Sequence, residues 1–483
     1  MKRPFYAAAI LWLAAIAPAI AGDLGEDIRT ILSDKLLAKT QVGIRIVKLG
    51  ENAGSVKVVY EHNPTLPLVP ASNLKVVTTS AALDTLGPDF KFRTMLATKG
   101  EDLAVIGDGD PTLGDAELLK KVGWDTLTVF NAWAARLKEK NVAAARNLLV
   151  DDSIFEQLFQ HPNWPTKQDD RRYMAGVAGL NLNANCVDVT VNSNGFGQLV
   201  SYTLNPPTKY VTIKNTCVHG NENSIVLSRV PGSNNVVLGG ESRGSTVAPV
   251  SVNVEDPPMF AGTVLMETLS SSGIAFSGTT VRDRTVRTQL SAKDNGGWSI
   301  VAVHETPLPV ALGRANKDSM NLYAESLGKR MAAEVNHQTG DWKSATAAMS
   351  AFMKRAGVAD NQYQFDDCCG LSKQNNITTD AMTRVLVYDF YSRNRQTFFS
   401  SLAIAGVDGT LDDRFRGSDL RGRVFAKSGF VEGVSALSGY FKAKDENWYA
   451  FSILMNGIPA KSNSAYKQLQ EKIVNAVDSN VRR

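Results

Sequence analysis

The chain of 483 residues carries 52 basic and 48 acidic side chains, and 43% of its residues are hydrophobic. That near balance, with no basic cluster, excludes a nucleic-acid partner, and the length suffices for two or more domains with full cores. Four cysteines without C-x-x-C spacing and five scattered histidines give no ligand set for zinc, and no cofactor is expected.

In chain order, "MKRPFYAAAILWLAAIAPAIAGD" places Lys2 and Arg3 before an apolar run too short to span a bilayer, then Ala19-Ile20-Ala21, a small-x-small cleavage site. This secretory pattern makes residues 1–21 a removable signal peptide and predicts a periplasmic mature chain. Removal takes two basic residues and no acid, leaving 50 basic against 48 acidic side chains. No later stretch approaches a membrane span, so at most a peripheral membrane association is expected. In an oxidising compartment Cys186 can pair with Cys217, while the adjacent Cys368 and Cys369 form either a strained vicinal bridge or two thiols.

Residues 23–37 put Leu24, Ile28, Ile31 and Leu32 on one face behind Asp23, which predicts an amphipathic helix. "VGIRIVKLG" and "SVKVVYEHN" read as alternating strands, followed by a helix that opens at "PASNLK" and stops near Gly87-Pro88. From about 92 to 290 short alternating runs such as "NCVDVTVNSNG" and "YVTIKN" predict mainly β-structure. Helices return at 319–335 and 341–356. Three strands, "GRVFAKSG", "GVSALSGYFKA" and "NWYAFSILMNG", precede a helix at 464–478, whose Tyr466, Leu469, Ile473 and Val477 share a face that covers the sheet. The expectation is an α+β fold: one helix-and-sheet domain over 22–92 and 288–483, split by a mainly β insertion over 93–287 of one or two subdomains.

Ser-x-x-Lys occurs at Ser72/Lys75, Ser326/Lys329 and Ser464/Lys467. Residues three apart on a helix share a face, but only Ser72 opens a helix whose continuation, "VVTTSAAL", is uncharged and therefore expected to be buried. A lysine one turn into a buried helix is paired or has a lowered pKa, because desolvation disfavours its ammonium form. Neutral, it is a general base for the neighbouring hydroxyl. The competing reading makes Ser72 a helix cap and lets Lys75 snorkel outward.

Two further motifs bear on that choice. Lys427-Ser428-Gly429 is the one Lys-[Ser/Thr]-Gly in the chain. A cation and a hydroxyl on a strand edge, with a glycine that admits a ligand to the backbone, suit a terminal carboxylate. Ser-x-Asn recurs at Ser233, Ser251, Ser319 and Ser392, but Ser319-Met320-Asn321 joins "ALGRANKD" to a long helical run between the other motifs. A hydroxyl and an amide there can relay a proton and hold a substrate amide. Taken singly, the first is an ordinary strand end and the second a helix cap.

In the order Ser-x-x-Lys, Ser-x-Asn, Lys-Ser-Gly, the three resemble the penicillin-recognising serine acyltransferases. Ser72 and Ser319 are 247 residues apart. An insertion that long after the nucleophile helix, with "GDGDPTL", "GLS" and "GVDGTL", resembles the low-molecular-mass class C penicillin-binding proteins, the D-Ala-D-Ala carboxypeptidase/endopeptidases. The resemblance covers nearly all the mature chain.

It implies a transpeptidase-like domain related to the serine β-lactamases, peptidoglycan peptides as substrates, and β-lactams as covalent inhibitors. By that resemblance Ser72 attacks the carbonyl between two D-alanines, Lys75 takes its proton, Ser319 passes a proton to the leaving amine and Asn321 binds the peptide. Lys427, beside Ser428, holds the terminal carboxylate or contributes positive potential that keeps Lys75 neutral, and the N–H groups of Ser72 and Phe430, beside Gly429, form the oxyanion hole. For a diaminopimelate side chain it implies an acid before an aromatic (Asp169 or Asp170, before Tyr173) for the ammonium. Lys373 after Gly-Leu-Ser takes the carboxylate, and Glu432 adds a negative charge near the same pocket. The chain departs from the family at Cys368-Cys369, where Gly-Ser is usual, and at Ser428, where threonine is usual. The alternatives are a β-lactamase, for which no Glu-x-x-Leu-Asn-like segment appears, and a non-catalytic periplasmic scaffold.

Overall fold

The computed structural model describes residues 23–166, 170–246, 248–459 and 463–481. The signal-peptide segment and Asp169 lie outside them. The fold is α+β, with three β-rich layers.

The first is a six-stranded antiparallel sheet in the order Lys57–His62, Gln41–Lys48, Trp448–Asn456, Val434–Lys442, Val424–Val431, Ala403–Ile404. Its two central strands from the carboxy-terminal region are buried almost throughout, because both faces are covered. On one face Tyr466, Leu469, Ile473 and Val477 of helix Asn463–Asn480 join Ile28 of helix Leu24–Leu32. On the other lie helices Leu74–Leu86, Leu308–Lys317, Asn321–Asn336, Trp342–Arg355 and Thr379–Tyr391. Helix Leu24–Leu32 ends before residue 37 because the Ser33 hydroxyl turns back to the Thr30 carbonyl and Asp34 caps a separate turn at Leu36.

The second layer is a five-stranded sheet in the order Thr280–Arg282, Leu148–Asp151, Asp102–Ile106, Lys91–Lys99, Ser299–Pro307. Pairing of Ser299–Pro307 with Lys91–Lys99 carries this sheet to Pro307, past the boundary expected at 287. The third comprises two three-stranded sheets drawn from residues 186–253.

The region is less purely β than expected. Helices Thr128–Glu139 and Pro257–Ser271 bury Phe130, Trp133, Phe260 and Leu265 in one core. Cys186 and Cys217 are both buried free thiols, so the considered disulfide does not form; Cys368 and Cys369 are likewise two thiols.

Candidate active site

The turn that carries Ser72 is set by backbone. Ala71 adopts φ 48° and Ala71–Asn73 form a single 3-10 turn that runs into helix Leu74–Leu86. No side chain caps that helix. The Ser72 hydroxyl instead lies 2.9 Å from Lys75 Nζ, so the capping reading is overturned. Lys75 is fully buried, not snorkelling.

Lys75 Nζ makes two further bonds, to Asn321 Oδ1 and to the Cys369 carbonyl, both 2.8 Å. Burial pulls its pKa down, while the charges around Cys369, Asp367 and Glu325 pull it back up, for a net lowering. Across the cleft, Lys427 Nζ donates to Ser319 Oγ at 2.9 Å and to the Ser428 carbonyl at 2.8 Å. It too is fully buried, and desolvation followed by repulsion from Lys75 drives its pKa well below the usual lysine value. Neither ammonium touches a carboxylate among the described residues, so the pair favours shedding a proton.

The three motifs converge from different elements. Ser319 sits at φ 58°, in the left-handed region, just before helix Asn321–Asn336, and caps nothing. The strand of Lys427 packs against the nucleophile turn: the Asn73 amide donates to the Lys427 carbonyl at 2.8 Å. A Cβ on Gly429 would lie 2.8 Å from the Pro70 carbonyl oxygen. Gly429 is therefore required by the approach of the protein's own backbone, where the sequence suggested a ligand's. Ser428 Oγ reaches Thr410 at 2.8 Å, and Phe430 is half exposed.

The residues assigned to a side-chain pocket are not gathered in the same way. Asp170 is half-buried, 3.8 Å from Arg171, while Lys373 and Glu432 are exposed. None of the three contacts Ser72, Lys75, Ser319, Asn321 or Lys427 among the described residues. The segment of Asp170 does: the Tyr173 carbonyl accepts from Asn321 Nδ2 at 2.9 Å, turning Oδ1 toward Lys75.

Sequence reasoning missed the group that steadies Lys75. Glu325 lies one helical turn after Asn321 on the same face. Its Oε1 accepts the N–H groups of Cys368 and Cys369 at 3.0 and 2.7 Å, and Oε2 accepts Trp342 Nε1 at 2.8 Å. This fixes the carbonyl that holds Lys75. Asp367 accepts from Trp164, Gly370, Ser372 and Asn375. Glu325, Asp367 and Cys369 offer three donor atoms within 4.8 Å of one another. Every carboxylate oxygen in that cluster is already spent on N–H donors, so it is a loop clamp. Gly370, at φ 85°, lets the clamped loop meet the nucleophile turn, since a Cβ there would lie 1.9 Å from the Ala71 carbonyl oxygen.

Comparison with known proteins shows the family of the chain. A D-alanyl-D-alanine carboxypeptidase of Actinomadura sp. is 29% identical over 460 residues, covering 90% of this chain and 81% of its own. Its counterpart in Haemophilus influenzae is 24% identical over 444 residues, covering 88% and 87%. The crystal structure of penicillin-binding protein 4 from Haemophilus influenzae shares the fold, with TM-score 0.76, 22% identity, and coverage of 93% of this chain and 99% of that one. The model of the D-Ala-D-Ala carboxypeptidase 3 (S13) family matches residues 24–480. The chain belongs to the D-Ala-D-Ala carboxypeptidase 3 (S13) family, and is a serine peptidase.

Proposed function

We propose that the chain hydrolyses the D-Ala-D-Ala bond of peptidoglycan stem peptides, and cross-links of the same chemistry, through an ester on Ser72. The carrying observation is a fully buried Lys75 that bridges Ser72 Oγ and Asn321 Oδ1 with no carboxylate in contact among the described residues. In its neutral form Lys75 accepts the Ser72 proton as Oγ bonds to the carbonyl carbon. The C–N bond then breaks. The amine leaves with a proton delivered through Ser319, which Lys427 holds in place, and water hydrolyses the ester by the reverse path. Asn321 binds the peptide backbone, Lys427 and Ser428 face the terminal carboxylate, and the N–H groups of Ser72 and Phe430 receive the oxyanion; each such donor is worth about 100-fold in rate.

A structural relative has been crystallised with a β-lactam, and another is a peptidoglycan endopeptidase of Bdellovibrio bacteriovorus. Acylation of Ser72 by β-lactams, which mimic D-Ala-D-Ala, belongs to the same proposal. The periplasm is its place on the amino-terminal leader pattern; among the described residues no helix is long and apolar enough to cross a membrane. Asp170, with Asp169, and Lys373 and Glu432 are the proposed diaminopimelate contacts.

A fluorescent penicillin should label the protein once, and Ser72→Ala should abolish labelling without unfolding it. Persistent labelling of the variant would place the nucleophile elsewhere, and rapid multiple turnover of nitrocefin would favour a β-lactamase.

A further inference from the structure

The third Ser-x-x-Lys match, Ser464/Lys467, has no part in the chemistry above, yet Lys467 lines the same cavity as Ser72 and Ser319. The cavity has a volume of about 240 Å³ and continues past Ser428, Phe430 and Thr410 to Arg414, Asn463 and Lys467. That is far more room than the single alanine released from a D-Ala-D-Ala terminus needs.

Its far end is cationic. Arg414 is 2% exposed; its Nε pairs with Glu471, its Nη2 donates to the Lys467 carbonyl and to Gln470, and its Nη1 has no hydrogen-bond partner among the described residues. Lys467 is half-buried and forms no ion pair among the described residues. It also lies near the start of helix Asn463–Asn480, whose first turn carries no acid. A cation is disfavoured at a helix amino terminus, where the backbone dipole is already positive. An unpaired lysine there, beside a buried arginine with a spare N–H and with no carboxylate in the described lining, is a site short of an anion.

Its position fixes which part of the substrate can supply that anion. Ser319 and Lys427-Ser428 mark the leaving side of Ser72, so the ligand is attached to the leaving amine. We propose that the cavity between the Lys427 strand and the carboxy-terminal helix is a leaving-side subsite. It takes a second, carboxylate-bearing peptide, the acceptor stem of a cross-link. The inference rests on the peptidase reading above and adds a preference to it: the subsite favours cutting cross-links over trimming single stems. Lys467 supplies the charge, and Arg414 fixes the turn that carries Lys467 through its bond to the Lys467 carbonyl.

The test compares kcat/KM on a cross-linked stem dimer and on a single pentapeptide stem, for the wild type, Lys467→Gln and Lys467→Glu. Lys467→Gln should lower the dimer-to-pentapeptide ratio about fivefold, the size of a partly exposed ion pair, and Lys467→Glu should lower it further. Amidating the acceptor-stem carboxylates other than the one beside the scissile bond, which Lys427 and Ser428 face, should lower the wild-type ratio similarly and remove the effect of Lys467→Gln, because the two changes delete one interaction. A ratio unchanged in both variants, or the same in the amidated dimer as in the free acid, would overturn the subsite while leaving the peptidase reading intact. A wild type that is acylated by penicillin yet cleaves neither peptide would instead overturn the peptidase reading, and the subsite with it.

Discussion

At the scale of single residues, the proposed chemistry turns on how Lys75 comes to hold a lone pair. Burial lowers its pKa, and the nearby negative charges, Glu325 and Asp367, oppose that lowering. Glu325 is itself unusual: burial and the neighbouring Asp367 push its pKa up to about 7, against the stabilising N–H bonds it receives. Groups facing it are Asp367, Cys368 and Cys369 on the loop and Lys329 on its own helix. Glu325→Gln keeps the shape and removes the charge. With less negative potential nearby, Lys75 loses its proton more easily, so the acid limb of the acylation pH profile should move to lower pH. The plateau rate should fall at the same time, because the new amide sets an N–H donor against either Trp342 or the loop. Penicillin acylation rates measured across pH check both. A lower plateau with an unmoved limb would mean that Glu325 acts through geometry alone.

At the scale of elements, the residues around 170–174 form a strap between the inserted sheets and the catalytic residues. Asn253, at the end of strand Val250–Asn253, donates its N–H to the Asp170 carbonyl at 3.0 Å and its amide to the Arg171 carbonyl at 3.1 Å. The Tyr173 carbonyl then orients Asn321. Asp170 and the Asn321 amide beside Lys75 thus share one support. If Asp170 meets the diaminopimelate ammonium, Asp170→Asn should reduce peptide cleavage about tenfold while penicillin, which lacks that side chain, acylates Ser72 at its usual rate. Lys373→Ala should cost less, because an exposed lysine gives a point charge in place of the bidentate fork an arginine offers. Parallel measurements on peptide and penicillin decide this. Equal losses on both would show that the strap acts through Asn321, with no contact to the side chain.

At the scale of the whole molecule, legibility followed locality. The helix of Lys75 and the three carboxy-terminal strands were readable because their apolar spacing is dictated by burial on the face or faces they present. Ser72, Ser319 and Lys427 were readable because their motifs are short and ordered. Glu325 and the Tyr173 carbonyl were not, since their roles depend on which distant backbone the fold brings to them. The helix at 128–139 carries a signal, Val129, Phe130, Trp133 and Leu137 on one face, but the short β runs around it mask that period. The insertion's union with the catalytic part was equally hidden in the sequence.

One buried ion pair shows how tight that union is. Asp115, at the amino terminus of helix Ala116–Lys120, is fully buried and accepts both Arg314 Nε and Nη2, at 3.2 and 2.8 Å, as well as the Tyr323 hydroxyl at 2.5 Å. Arg314 lies on helix Leu308–Lys317, and its carbonyl accepts the Met320 N–H next to Ser319. Burial raises the Asp115 pKa, but Arg314 and the hydrogen bonds win, leaving it below the ordinary carboxylate value. A depressed folded-state pKa gives stability that is present above the ordinary value of 3.8 and lost as pH falls through the folded one. Asp115→Ala would leave the buried Arg314 Nε and Nη2 and the Tyr323 hydroxyl without their acceptor, while Arg314 Nη1 keeps Asp318 at 2.9 Å, at a cost of about 1–3 kcal/mol. Chemical denaturation should show that loss at neutral pH, and the gap between wild type and variant should narrow as pH falls below the ordinary carboxylate range. Slower penicillin acylation at temperatures where the variant stays folded should accompany it, since Met320 and Ser319 lose their anchor. A variant that is less stable yet acylates normally would mean that the Arg314 backbone holds its place without Asp115.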